Sequence, residues 1–215
     1  MAEKLFEEAS EAILKGDAEK AAQVAKQGID EGLDPLELMD KGFVPGINKV
    51  GDLFESGRLF LPALIYSSMA MEKATAIINA VIPSEQKTIS GKVLIGTVEG
   101  DVHDIGKTIV VALFKANGFD VLDIGRDVPV SRFIEEAEKF GADIIGSSTL
   151  LTTTMAVQRE LEEELKISGL RDKYKTVIGG APVTQRWADR IGADAYAQDA
   201  SDGVRKVKEL LLDKG

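Results

Sequence analysis

Cysteine is absent from this 215-residue chain, and histidine occurs once, at position 103. No disulfide framework can form, which fits a reducing compartment, and a cytoplasmic location is the expectation. Zinc cages of the usual kind draw three or four side chains from His, Cys and carboxylates. One histidine and no cysteine cannot supply a His/Cys cage. Any metal chemistry needs carboxylates, or a metal that arrives with most of its ligands attached. Basic residues are also in the minority, 26 against 36 acidic, for a formal net charge of −10. Such a surface repels the phosphate backbone, so no nucleic-acid partner is expected. No apolar run approaches the roughly 18 residues that span a bilayer, so no membrane association is expected either. The opening stretch, Met1 to Glu8, is acidic and amphipathic, unlike a secretory signal with its basic flank and apolar core.

What is present is ordinary for a globular protein: 44% apolar and 29% charged residues. The pattern changes at the polar stretch Pro83-Ser84-Glu85-Gln86-Lys87, which predicts two domains, 1–88 and 89–215. Before the break the apolar period is helical. Leu36, Met39, Phe43, Ile47, Val50 and Phe54 recur at steps of three and four, one face of a helix. Asp34 is placed to cap it, Pro35 suits its first turn, and Glu37 completes a capping box. Gly16-Asp17 reads as the stop of one helix and the cap of the next. Leu64, Met71, Ala74, Ile78 and Val81 mark a last helix, in which Met69 and Met71 read as packing residues. Four helices with short connections make a small bundle.

After the break, short apolar runs alternate with helical ones. Strands are expected at Val93 to Val98, Phe119 to Ile124, Asp143 to Gly146, Thr176 to Ile178 and Asp194 to Ala197. Helices follow each of them. This alternation predicts an α/β fold, an open, doubly wound, Rossmann-like or flavodoxin-like parallel sheet of five strands. Its ligand crevice belongs at the carboxyl ends of the strands.

Three segments end strands there. The first is Glu99-Gly100-Asp101-Val102-His103-Asp104-Ile105-Gly106-Lys107, in which Asp-x-His-x-x-Gly alone is a weak signal. The second, Ser148-Thr149-Leu150, runs into Leu151-Thr152-Thr153-Thr154, where helix capping is the ordinary explanation. The third is Gly179-Gly180-Ala181, ordinarily a tight turn. Lys107 reads as a surface cation. The phosphate loop Gly-x-x-x-x-Gly-Lys-Ser/Thr is absent despite Gly106-Lys107-Thr108, because Asp101 stands where its first glycine belongs.

Taken together, the three segments resemble the signature of the cobalamin-binding module of methionine synthase. They resemble still more the stand-alone corrinoid proteins of methylamine- and betaine-type methyltransferase systems. That signature is Asp-x-His-x-x-Gly, Ser-x-Leu and Gly-Gly. Here Gly106 and Ser148 are separated by 41 residues (107–147), and Leu150 and Gly179 by 28 (151–178). Gly51-Asp52-Leu53-Phe54-Glu55 and Phe60-Leu61-Pro62 share the family's look.

The resemblance implies a cobalamin cofactor, including its methylated form, bound with its own base withdrawn and His103 as the lower cobalt ligand. The corrin ring supplies four nitrogens, so one histidine suffices. Asp101 would orient the imidazole through its other N–H, as carboxylates beside metal-bound histidines do. Thr154 would continue the relay and pass a proton as the histidine leaves and regains the metal. The cofactor contacts implied are Asp101, Val102, His103, Asp104, Ile105, Gly106, Ser148, Leu150, Thr152, Gly179, Gly180, Ala181, Tyr196 and Ala197. The helical domain would shield the cobalt from around Phe60 to Met71.

The function implied is a methyl carrier that is not a complete enzyme on its own. Its partners would be a substrate:corrinoid methyltransferase, a corrinoid:acceptor methyltransferase and a reductive activator. Pro182-Val183-Thr184-Gln185 and Trp187-Ala188-Asp189 resemble trimethylamine-type carriers, favouring methylated amines or betaines as donors over methoxylated aromatics and methanol. The acceptor would be a thiol such as coenzyme M, or tetrahydrofolate. The alternative is a cobalamin-dependent sensor or regulator, which would need a DNA-binding segment that this sequence does not display.

Overall fold

The computed structural model describes residues 2–82 and 91–212. The expected break at Pro83 to Lys87 and the domain boundary at 88/89 lie outside the described residues. The chain forms two compact units, Met1–Ser90 with Ala112–Gly118, and Gly91–Val111 with Phe119–Gly215.

In the first unit, α1 (Ala2–Leu14) and α2 (Ala18–Asp30) meet at Gly16, whose φ of +67° suits a residue without a side chain. Asp17 then accepts the Lys20 N–H at 2.9 Å and caps α2, as its sequence position predicts. Next come α3 (Pro35–Leu38), one π turn (Met39–Phe43) and α4 (Val44–Glu55), which run on as a single helical element. Asp34 caps α3 through the Glu37 N–H at 2.9 Å. The capping box is only half made, because the Glu37 carboxylate accepts instead from Lys41 Nζ at 2.7 Å. Finally α5 (Leu61–Val81) packs along the alanine-rich face of α2, while α1 packs on α4. Leu64, Met71, Ala74 and Ile78 are buried, as their spacing predicts, but Val81 is exposed. Met69 corrects the sequence reading. It is 51% exposed and shares an outer face of α5 with the exposed Tyr66, three residues earlier, so only Met71 is a packing residue.

The second unit alternates throughout: β1 (Lys92–Thr97), α6 (Ile105–Ala116), β2 (Asp120–Asp123), α7 (Val130–Phe140), β3 (Ile144–Ser148), α8 (Met155–Ile167), β4 (Lys175–Gly179), α9 (Gln185–Ile191), β5 (Ala195–Ala197) and α10 (Ala200–Leu212). All strand pairs are parallel, in the order β2-β1-β3-β4-β5. This is the doubly wound α/β sheet that the alternation predicts. Burial on nearly every position of β1, β3 and β4 explains why these strands read as continuous apolar runs. One core cluster of this unit joins Leu94, Val98, Ile145, Phe133, Leu161 and Tyr174.

The order reverses between β1 and β3, the switch point where such sheets take ligands. At that edge Thr97, Ser148, Gly179 and Ala197 stand in one register row across four strands. The loops that follow these residues therefore leave the sheet side by side.

Candidate functional site

Asp101 sits in the loop after β1 and is fully buried. Its Oδ1 accepts the backbone N–H of His103 at 3.0 Å and lies 2.7 Å from His103 Nδ1. Its Oδ2 faces the loop after β3, where the N–H groups of Leu150 and Leu151 donate at 2.6 and 3.1 Å. The hydroxyls of Thr149 and Thr154 lie 3.1 and 3.2 Å from the same oxygen. Burial by itself would raise the Asp101 carboxyl, but the donors of His103, Leu150 and Leu151 outweigh it and hold the group well below the usual carboxylate range. Asp101 is thus an anion that only accepts, which makes Nδ1 the protonated nitrogen of His103. Nε2 takes part in no hydrogen bond among the described residues.

The neighbouring loop clasps this one. Gly125 O accepts from Thr97 N at 3.0 Å, Asp127 N donates to Asp101 O at 3.0 Å, and Arg126 Nη1 donates to Val102 O at 3.3 Å. Asp127 is the one non-glycine residue with positive φ among those described, at 54°, and its carboxylate accepts the Gly100 N–H at 2.7 Å. Thr97 Oγ1 donates to His103 O at 3.1 Å. His103 is therefore held by its backbone and by one ring nitrogen, with its side chain 47% exposed.

The other expected residues divide into groups. Val102, Ile105, Leu150 and Leu151 are large apolar side chains left exposed around the histidine. Gly106 and Thr152 are exposed, and Asp104 is half-buried beside Arg126. Thr154 occupies the N-cap position of α8 but makes no side-chain cap. Its hydroxyl is committed to Asp101, Thr149 and Leu151 O, so the capping explanation for this threonine fails. Ser148 ends β3, half-buried, beside Gly179. Gly180 has φ +127°, and a Cβ there would fall 1.7 Å from Thr149 O, so this glycine is what lets the loops after β3 and β4 touch. At Gly179 a Cβ would meet only Ala197 O, at 3.6 Å. Ala181 is exposed beyond the pair. Tyr196 packs against the Ile178, Val183, Ala188 and Ile191 cluster, and Ala197 pairs with Gly179.

Lys107 is a correction. Its side chain is 3% exposed and ion-paired with both Asp123 oxygens, because the first turn of α6 packs it against the end of β2. Sequence reasoning also passed over Thr149, Leu151 and Gln158. Gln158 is fully buried on α8, donates to Ser147 O and Gly179 O at 3.1 and 3.2 Å, and accepts from Trp187 Nε1 at 3.2 Å. It ties β3, β4 and α9 together beneath the edge, and a glutamine at a core position of α8's stripe was the only hint of it.

Among the described residues no three His, Cys, Asp or Glu side chains gather to hold a bare metal ion. The arrangement instead offers one free imidazole nitrogen on a locked ring, with apolar side chains around it. That fits a metal carried in a large, flat organic ligand.

Comparison with known proteins gives the family. Two family models, both described as B12 binding domain, match residues 5–79 and 91–207. Trimethylamine corrinoid protein 1 of Methanosarcina acetivorans is 47% identical over 213 residues, covering 98% of each chain. Dimethylamine corrinoid protein 1 of Methanosarcina mazei is 49% identical over 216 residues, covering 99% of this chain and 98% of that one. Among solved structures, the methanol:cobalamin methyltransferase complex MtaBC of Methanosarcina barkeri contains a chain that superposes with a TM-score of 0.81. It is 31% identical, with 97% of this chain and 80% of that chain covered. The buried aspartate, the locked histidine and the two matched domains together place this chain in the family of B12-binding corrinoid proteins.

Proposed function

We propose that the chain is a corrinoid methyl carrier of a methylated-amine methyltransferase system. The observation that carries this reading is the fully buried Asp101 holding His103 Nδ1 at 2.7 Å, which presents Nε2 alone at the carboxyl edge of the sheet. Bound cobalamin would supply the cobalt that accepts and releases the methyl group. The chain's own residues do the rest. Nε2 of His103 would be the protein's ligand to the cobalt, and Asp101 would keep the imidazole in one tautomer and one orientation. The exposed apolar side chains of Val102, Ile105, Leu150 and Leu151 would keep water from the corrin. Asp104, Gly106, Thr152 and Ala181 would border it, and Ser148, Gly179, Gly180, Tyr196 and Ala197 would receive the nucleotide tail. Asp101 touches His103 Nδ1 through Oδ1 and the Thr154 hydroxyl through Oδ2, the two contacts that the proposed proton relay would use.

Relatives named for trimethylamine and dimethylamine support methylated amines as the donor class. Residues 182–189 add the preference for methylated amines or betaines over methoxylated aromatics and methanol. The partners are a substrate:corrinoid methyltransferase, an acceptor methyltransferase working on a thiol or tetrahydrofolate, and a reductive activator. No described helix is long and apolar enough to cross a membrane, and we place the protein in the cytoplasm.

The test is retention of hydroxocobalamin after desalting, read by visible spectrum, in wild-type protein and His103→Ala. Wild type should retain the corrin with a histidine-ligated spectrum, and the variant should lose that signature. A folded wild-type protein that retains no corrin would sink the reading.

A further inference from the structure

The pattern that singles out Thr154 passes over Thr149, the variable residue inside Ser-x-Leu. Both hydroxyls are buried, and they lie 2.6 Å apart. Two hydroxyls carry two protons. At that separation one proton must lie between the oxygens, since two facing lone pairs would repel. One proton is left for two acceptors, Asp101 Oδ2 and Leu151 O. Thr149 Oγ1 is 3.1 Å from Oδ2 and 3.3 Å from Leu151 O, whereas Thr154 Oγ1 is 3.2 and 3.0 Å from them. If Thr154 donates to Thr149, then Thr149 donates to the carboxylate. In the reverse order Thr154 has Leu151 O at 3.0 Å and Oδ2 at 3.2 Å within reach, and the carboxylate's charge favours Oδ2.

We propose that Thr149 is a second positioning residue for His103, sharing with Thr154 a single donor function toward Asp101 that either hydroxyl can fulfil alone. The remaining donors to Oδ2 are two consecutive amides, Leu150 and Leu151. Oδ1 is also held by the backbone N–H of His103 at 3.0 Å, so the freedom left to the carboxylate is a tilt about the line joining that contact to the two amides. A hydroxyl off that line fixes its plane, and so fixes the direction of Oδ1 toward Nδ1. The purpose of this arrangement rests on His103 being the metal ligand, but its geometry does not.

The experiment uses the cofactor-free protein. His103 is the only histidine, so a ¹⁵N–¹H spectrum contains one imidazole, and the solvent exchange of Nδ1–H can be read without assignment. Thr149→Val, Thr154→Val and the double variant remove hydroxyls while keeping side-chain shape. Each single variant should exchange within about threefold of wild type, and the double variant about tenfold faster than the two single effects combined, the non-additivity that coupled neighbours show. Thr149→Ser on the Thr154→Val background should restore the single-variant rate. Equal rates in Thr154→Val and the double variant would overturn the proposal, as would single effects as large as the double. Should the double variant fail to fold, Thr154→Val alone decides. The Thr149 hydroxyl proton must then remain protected and show cross-relaxation to the Leu150 N–H, and its loss rejects the shared function. None of these readings depends on corrin retention, so this proposal and the carrier reading fail separately.

Discussion

Gly179 and Gly180 are adjacent, match the same motif, and have different physical reasons to be glycine. Gly180 combines positive φ with a Cβ position 1.7 Å from Thr149 O. Gly180→Ala should cost about 3 kcal/mol or more in urea unfolding, because relieving the clash displaces the turn that supports Asp101. Gly179→Ala meets only an ordinary contact. It should change stability by less than about 1 kcal/mol and yet weaken retention of hydroxocobalamin, if the missing side chain is room for the nucleotide tail. Equal stability losses in both variants would contradict this division. Sequence spacing located the pair but not the division, since φ and the approach of Thr149 are tertiary properties. The same holds at Asp101. Its link to His103 is readable two residues away, whereas its four contacts with residues 149–154 depend on β1 and β3 pairing in one register. Lys107 shows the opposite error: a cation in a first helical turn looks exposed until β2 brings Asp123 against it.

At the scale of elements, helix and strand positions followed from apolar period and turn residues, and the misreading in the helical unit has a defined cause. A strict step of three and four put Leu36 and Met39 on the buried face. The π turn at Met39–Phe43 inserts an extra residue, so Leu38 and Phe43, five apart, are the ones fully buried. Leu38→Ala should therefore cost about 2–5 kcal/mol and Leu36→Ala clearly less, compared by thermal unfolding. The reverse ranking would mean that the π turn is absent in solution. Caps behave similarly. Glu37 makes half a capping box, but Asp202 makes a fuller one at α10, donating its N–H to Asp199 at 2.8 Å and accepting the Gln198 N–H at 3.1 Å. Burial by itself would raise the Asp202 carboxyl, yet Gln198, Lys206 and Arg205 hold it low. A depressed folded pKa gives stability that is fully present above the unfolded value of about 3.9 and is lost as pH falls through the folded one. Asp202→Asn should cost about 1 kcal/mol at pH 7 and progressively less below about pH 4. Urea midpoints at both pH values check it, and a gap unchanged at low pH would refute it.

For the whole molecule, the doubly wound sheet was legible because buried parallel strands and amphipathic helices leave different periods in the sequence. The missing cysteines and the single histidine were equally informative, since they excluded a His/Cys cage and left carboxylates or a metal that brings its own ligands. Hydroxyl sharing, the clasp from the loop after β2 and the Gln158 tie were not legible, because each joins segments whose neighbourhood the fold creates.

The register row at Thr97, Ser148, Gly179 and Ala197 bears on assembly as well as on binding. The donors that complete Asp101 come from 48 to 53 residues further along the chain. Closing so long a loop costs entropy that only the finished sheet repays. In a peptide spanning residues 99–107 the imidazole therefore points anywhere, and the cage around Asp101 closes only once β1 and β3 have paired, a late event of folding.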